Sequence, residues 1–260
     1  MLQSHPVSGP NDYRTILGLR VFVGTPEEAV RLGSQGGLVV VPSAPVLLYM
    51  VDDLDTRQAL LDAKLTISDS GLMVLMWNRL KGDNIRRVSG LEYIKLLVDA
   101  PDFRAPGASF WVMPNETALE KTLRWLEQRG DRVTRDACYL APIYPKGAIS
   151  DPDLLHLLRA RRPKHVVIAL GGGVQERLGA YLQANLDEPP AIHCIGAAIG
   201  FLSGAQVRIP MWADAWKLGW LFRCLAAPRT FIPRYWHARK LVPLMRRYQE
   251  RMPDAPGISK

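Results

Sequence analysis

The chain has 260 residues, 48% hydrophobic and 22% charged, a balance that suits a folded globular protein and excludes a disordered one. Its three cysteines, Cys138, Cys194 and Cys224, are far apart and form no C-x-x-C pair, so neither a disulfide framework nor a zinc cluster is expected and a reducing cytoplasm fits. The formal net charge of +8 is unevenly placed: residues 201–260 carry eleven Lys or Arg against three acids, which accounts for the whole excess.

The N-terminus lacks the basic, apolar and small-residue succession of a signal peptide. No apolar run approaches the roughly 18 residues that span a bilayer, so any membrane contact is expected to be peripheral. Residues 1–13 read as a lead-in, and Ile16 to Gly24 as a strand. Thr25-Pro26-Glu27-Glu28 has the form of a helix start, with Thr25 as cap and Pro26 at the first helical position. Leu38 to Val41 suits a strand buried on both faces, ended by Pro42-Ser43-Ala44-Pro45; a helix ending near Ala59 to Ala63 follows.

Leu65 to Ile67 then reaches Ser68-Asp69-Ser70-Gly71, after which apolar residues recur at helical spacing through Leu80. Asp69 therefore sits where a strand hands over to a helix, the position at which open α/β sheets carry their chemistry. Either one of Ser68, Asp69 and Ser70 caps the helix, or one of them is catalytic, and neighbours can divide the two jobs.

Helical spacing over Leu91 to Val98 is followed by a strand over Ser109 to Met113, a helix over Glu116 to Gln128, a strand over Ala137 to Ala141 and a helix over Pro152 to Arg159. His165 to Leu170 reads as a buried strand, Gly171-Gly172-Gly173 as its exit loop, Val174 to Ala184 as a helix, and Ala191 to Ile195 as a strand ending at Gly196-Ala197-Ala198. This alternation predicts an α/β, Rossmann-like fold with a mainly parallel sheet and helices on both faces.

Beyond Gly204 the pattern changes. Trp212, Trp216 and Trp220 recur every fourth residue, and Arg223, Arg229, Arg234, Arg239 and Lys240 follow. The expectation is a core over residues 1–204 and a basic, Trp-rich helical appendage over 205–260. The tryptophan stripe is either a buried helix face or a set of aromatic anchors for an anionic membrane surface. Its Leu and Trp pattern is also compatible with a homo-oligomer.

Gly171-Gly172-Gly173-Val174-Gln175-Glu176 leaves a strand and opens a helix, so its backbone N–H groups suit a phosphate or diphosphate. It has neither the G-x-G-x-x-G nor the Walker spacing, and a tight turn needing positive φ is the other reading. His5, His156, His165, His193 and His237 fall at no metal-ligand spacing, and Asp151 with Asp153 reads as a helix cap, so no metal is expected. No G-x-S-x-G elbow marks a serine hydrolase.

Over roughly Ile16 to Lys240 the chain resembles the WecG/TagA/CpsF family of bacterial glycosyltransferases. The resemblance rests on an ordered series: Ile16-Leu17-Gly18-Leu19-Arg20-Val21 with Glu27-Glu28-Ala29, Ser68-Asp69-Ser70-Gly71, Arg87-Val88-Ser89-Gly90, and Leu170 through Glu176. Ile195-Gly196-Ala197-Ala198, Phe201-Leu202-Ser203-Gly204, Arg208 through Trp212, and Pro228-Arg229 to Arg234-Tyr235 complete it.

The resemblance implies an inverting transfer, without metal or other cofactor, of a hexose from a UDP-sugar to a polyprenyl-diphosphate-linked sugar in surface polysaccharide synthesis. The implied location is cytoplasmic, on the inner face of the cytoplasmic membrane. Asp69 would be the general base. Arg87 and Gln175 would line the donor site together with Ser43, Gly171, Gly172, Gly173, Gly196 and Ala197. Arg223, Arg229 and Arg234 would meet the leaving diphosphate. The chain departs from the family pattern at Val41 and Ser43, at Gly173 and Val174, at Gly200 and at Gly219. Two other classes are a dinucleotide-binding relative, which the glycine spacing does not favour, and a nucleic-acid-binding relative without transferase activity, which the basic tail alone would suit. The transferase reading calls for no nucleic-acid partner.

Overall fold

The computed structural model describes residues 12–205, 229, 233 and 236–255. In chain order its elements are β1 (Tyr13–Ile16), β2 (Leu19–Phe22), α1 (Pro26–Gly33), β3 (Gly37–Val40), α2 (Ala44–Asp52), α3 (Leu54–Leu61), β4 (Leu65–Ile67) and α4 (Gly71–Lys81). Then come α5 (Gly90–Asp99), α6 (Pro101–Arg104), β5 (Ser109–Met113), α7 (Glu116–Gln128), β6 (Cys138–Leu140), α8 (Pro152–Arg161), β7 (His165–Ile168), α9 (Val174–Asn185), β8 (Ala191–Cys194), α10 (Ala198–Ser203) and α11 (Leu241–Tyr248).

The strands form one eight-stranded sheet in the order β1-β2-β4-β3-β8-β7-β5-β6, parallel except for the β1–β2 pair. This is the Rossmann-like α/β fold that the alternation of elements predicts. Because successive strand residues point to opposite faces, Leu38 and Val40 pack on one side of β3 and Val39 and Val41 on the other. Val166 and Ile168 against Val167 and Ala169 repeat this in β7. Both faces are therefore apolar, and each is covered by helices: α2, α3, α4, α8, α9 and α11 on one, α1, α5, α6, α7 and α10 on the other.

The stretch from Ile16 to Gly24, expected as a single strand, contains the turn and the second strand of a hairpin. Leu17 and Gly18 both have positive φ, 52° and 78°, and turn the chain so that Tyr13–Ile16 pairs antiparallel with Leu19–Phe22. Gly18 is the local signal of this turn, but an isolated glycine inside a strand pattern fits a bulge equally well. The end of the chain closes on the same turn: Leu17 N–H donates to the Gln249 carbonyl at 2.7 Å and Gly18 N–H to the Glu250 carbonyl at 2.9 Å. Glu250 also pairs with Lys81 at the end of α4 at 2.6 Å. With Leu241 and Met245 fully buried, α11 lies in the main core beside α4, and residues 236–255 pack as part of the α/β unit.

On the second face, Tyr93 of α5 bonds His193 Nδ1 through its hydroxyl at 2.8 Å, and His193 Nε2 bonds His165 Nδ1 at 3.1 Å. The chain of three ties α5 to β8 and β7. Burial holds both imidazoles below their ordinary pKa, and the adjacent His165 lowers His193 further.

Candidate active site

Strands β3 and β8 are neighbours, but the chain leaves β3 into α2 on the first face and leaves β8 into α10 on the second. The two exits diverge, and a crevice opens at the carboxyl ends of the strands, as expected at a topological switch point. It holds a cavity of about 620 Å³ that reaches from Asp69 and Arg87 past the glycine loop to the start of α7.

The turn after β4 divides its work among three residues. Ser70 caps α4, its Oγ accepting from Met73 N–H at 3.3 Å. Ser68, buried, accepts from Val88 N–H at 3.2 Å and donates to the Arg86 carbonyl at 3.1 Å, which draws the 86–88 segment against the turn. Asp69 is thereby released from capping and faces the cavity. Its Oδ1 accepts from Arg87 Nη2 at 3.1 Å and from Gly90 N–H at 3.0 Å, while its backbone carbonyl accepts from Arg87 Nε at 2.6 Å. Arg87 thus grips Asp69 at two points. Among the described residues nothing donates to Oδ2.

The loop after β7 presents Gly171 and Gly172 to the cavity and holds Gly173 behind them. Gly173 has φ +88°, a conformation that a side chain would strain, and its N–H donates to the Glu176 carboxylate at 2.6 Å. Gly172 approaches α2 so closely that a Cβ would lie 2.4 Å from Val46. Gln175, buried at the first turn of α9, accepts through Oε1 from Gly196 N–H at 2.6 Å and donates through Nε2 to Glu176 at 2.9 Å. It spans the exit loops of β7 and β8 at the floor of the cavity, where Gly196 and Ala197 also lie. Ser43 lines the wall at the start of α2, and its side chain makes no cap hydrogen bond. Val41 and Gly200, two of the departures from the family pattern, line the same cavity.

Asp69, Ser43, Arg87, Gly171, Gly172, Gln175, Gly196 and Ala197 are therefore brought together, and Gly173 supports them from behind. Arg229 is exposed and does not line the cavity, and Arg223 and Arg234 lie outside the described residues. Sequence reasoning missed one wall, formed by Met113, Pro114, Asn115 and Thr117 where β5 gives way to α7, with Phe201 of α10 opposite the strand ends. Asn115 caps α7 by accepting from Ala118 N–H at 2.9 Å. The signal available was the same strand-to-helix hand-over that singled out Asp69.

A doubly wound sheet whose crevice brings together a carboxylate, a guanidinium and a helix-opening glycine loop has an arrangement of the kind that α/β group-transfer proteins use. The sequence profile of the glycosyl transferase WecG/TagA/CpsF family matches residues 14–254, and the chain belongs to that family. It is a glycosyltransferase family of cell-wall polysaccharide synthesis. A search of curated proteins returns no match. Among the described residues no helix is long and apolar enough to cross a membrane, and no group of three or more His, Cys, Asp or Glu could hold a metal ion.

Proposed function

We propose that the protein transfers a hexose, with inversion, from a UDP-sugar to a polyprenyl-diphosphate-linked sugar at the inner face of the cytoplasmic membrane. The observation that carries the reading is the state of Asp69: one carboxylate oxygen is held by Arg87 and Gly90, and the other takes no hydrogen bond from the described residues while the side chain faces the cavity. Inverting transfer needs a base that takes the acceptor hydroxyl proton as that oxygen attacks the anomeric carbon and UDP departs. Asp69 has the chemistry and a fixed orientation for this role.

The leaving diphosphate needs positive or dipolar partners. Gly171 and Gly172 at the start of α9 and the Arg87 guanidinium are placed to supply these from the cavity wall, and the tail arginines Arg223 and Arg234 are proposed to complete them without a divalent metal. The family's nucleotide-sugar donor and lipid-linked acceptor agree with a cavity of about 620 Å³, which suits a ligand of nucleotide size.

Contact with the membrane is proposed to run through the basic segment beyond Gly204. Trp236 is 64% exposed and Arg239 stacks on its ring at 3.4 Å, a pairing of the kind that suits an anionic interface. The test is a calorimetric titration with UDP and a panel of UDP-hexoses, first without metal and then with magnesium. Saturable binding without metal, weakened by Arg87→Ala, is expected. Absence of binding in both conditions, with and without anionic vesicles, refutes the proposal.

A further inference from the structure

The cavity floor contains a carboxylate that does not itself line the cavity. Glu176 is fully buried at the first turn of α9, and both its oxygens are spent on neighbours: Oε2 accepts from Gly173 N–H at 2.6 Å and Oε1 from Gln175 Nε2 at 2.9 Å. Burying a carboxylate is costly unless its acceptors are satisfied, and here both are, by groups of the cavity floor. Burial pushes its pKa up, and the hydrogen bonds from Gln175 and Gly173, together with Arg177, oppose the rise.

The second half of the argument concerns the Gln175 amide. An amide side chain has one accepting and one donating end and can be turned over at little cost unless its partners differ. Here they differ. Glu176 accepts, so it takes Nε2; the backbone N–H of Gly196 donates, so it takes Oε1 at 2.6 Å. Gly173 is held at both ends as well, because its carbonyl accepts from Arg177 Nε at 3.1 Å while Arg177 reaches on to the Pro145 and Gly147 carbonyls. The glycine loop, the Gln175 amide and the exit of β8 therefore form one network anchored on Glu176.

We infer that Glu176 is a positioning residue that sets the orientation of the Gln175 amide and so fixes which group, a donor N–H, that side chain offers to an oxygen of the bound ligand. The inference rests on the reading of the cavity as a nucleotide-diphosphate site for its ligand, but not for the linkage from Glu176 through Gln175 to Gly196.

Glu176→Gln separates the possibilities. The new amide has one accepting oxygen where two donors wait. The Gly173 N–H cannot turn, so residue 176 keeps its oxygen there and presents its NH₂ to Gln175, whose amide must flip and set Nε2 against the Gly196 N–H. Backbone hydrogen exchange read by NMR should then show lost protection at Gly196, which Glu176 does not touch, while β7 and β8 stay protected. UDP affinity should fall about threefold to tenfold, the loss of one ligand hydrogen bond.

The same substitution on a Gln175→Ala background should produce little further loss, since the effect runs through Gln175. Unchanged protection at Gly196, or losses that add in the double variant, overturns the inference. Should Glu176→Gln not fold, Glu176→Asp, which keeps a carboxyl group but retracts it from the Gln175 amide, makes the same comparison. A wild type that fails to bind UDP removes the nucleotide reading alone, and Gly196 exchange still decides the linkage.

Discussion

Replacing Asp69 with Asn tests the proposed chemistry with little disturbance of structure. The carboxamide keeps an oxygen where Oδ1 accepts from Arg87 and Gly90, and the Arg87 Nε bond to the backbone carbonyl is untouched. What changes is the other oxygen, which becomes an NH₂ that cannot take a proton. Both side chains of the Asp69–Arg87 pair are 21% exposed, so loss of its charge should cost no more than about 1 kcal/mol. For a chain of this size that is a fall in Tm of at most about 4 °C. Removal of a general base typically lowers turnover by about 10²–10⁴, equivalent to about 3–5 kcal/mol of barrier. Transfer from a radiolabelled UDP-hexose to a lipid-linked acceptor, with UDP affinity measured in parallel, should show turnover reduced by that factor and binding within about threefold of wild type. Turnover within a few-fold of wild type would refute the role of Asp69 as base. Asp69→Ala should lose more stability than Asp69→Asn, because it leaves the Arg87 and Gly90 donors without their acceptor.

Gly173→Ala should destabilise by about 1–3 kcal/mol and weaken UDP binding, because a side chain at φ +88° is strained; a denaturant midpoint equal to wild type contradicts this. Tyr93→Phe removes the hydroxyl from His193 Nδ1 and leaves that nitrogen buried without its partner, a loss of about 1–3 kcal/mol to be read from urea unfolding. The imidazoles of His165 and His193 are held neutral by burial, so below the ordinary histidine pKa the unfolded chain binds protons that the folded one does not. Their contribution is complete above about pH 6.5 and is lost as pH falls below it, at about 1.4 kcal/mol per unit for each histidine until the folded pKa is reached. Glu176, pushed up by burial, acts in the opposite direction, so the measurement is the difference in slope between wild type and His165→Gln; equal slopes exclude His165 as a source. Leu241→Ala, at a fully buried position of α11, should lower stability by about 2–5 kcal/mol, whereas a neutral result would mean that the end of the chain is not part of the core.

What the sequence by itself determined was set by local chemistry and period. The runs at Leu38 to Val41 and His165 to Leu170 announced strands buried on both faces, the second of which ends at Ile168, and Thr25 and Asp151 announced their caps, because a cap needs only a side chain and a backbone N–H three residues away. The hand-over at Asp69 and the helix after Gly173 were legible for the same reason. Other features depended on groups distant in the chain. The division of roles among Ser68, Asp69 and Ser70 was decided by the return of residues 86–90 against the turn, some twenty positions later. Gln175 became a tie between loops only when β8 was set beside β7 and brought Gly196 N–H within 2.6 Å. Likewise, the wall at Asn115 and Thr117 joined the site through strand order, and α11 entered the core because the β1–β2 turn offered its N–H groups to Gln249 and Glu250. Spacing along the chain encodes neighbours within one helix or strand; the order in which strands join the sheet brings the site residues together, and that order is set by packing across the whole core.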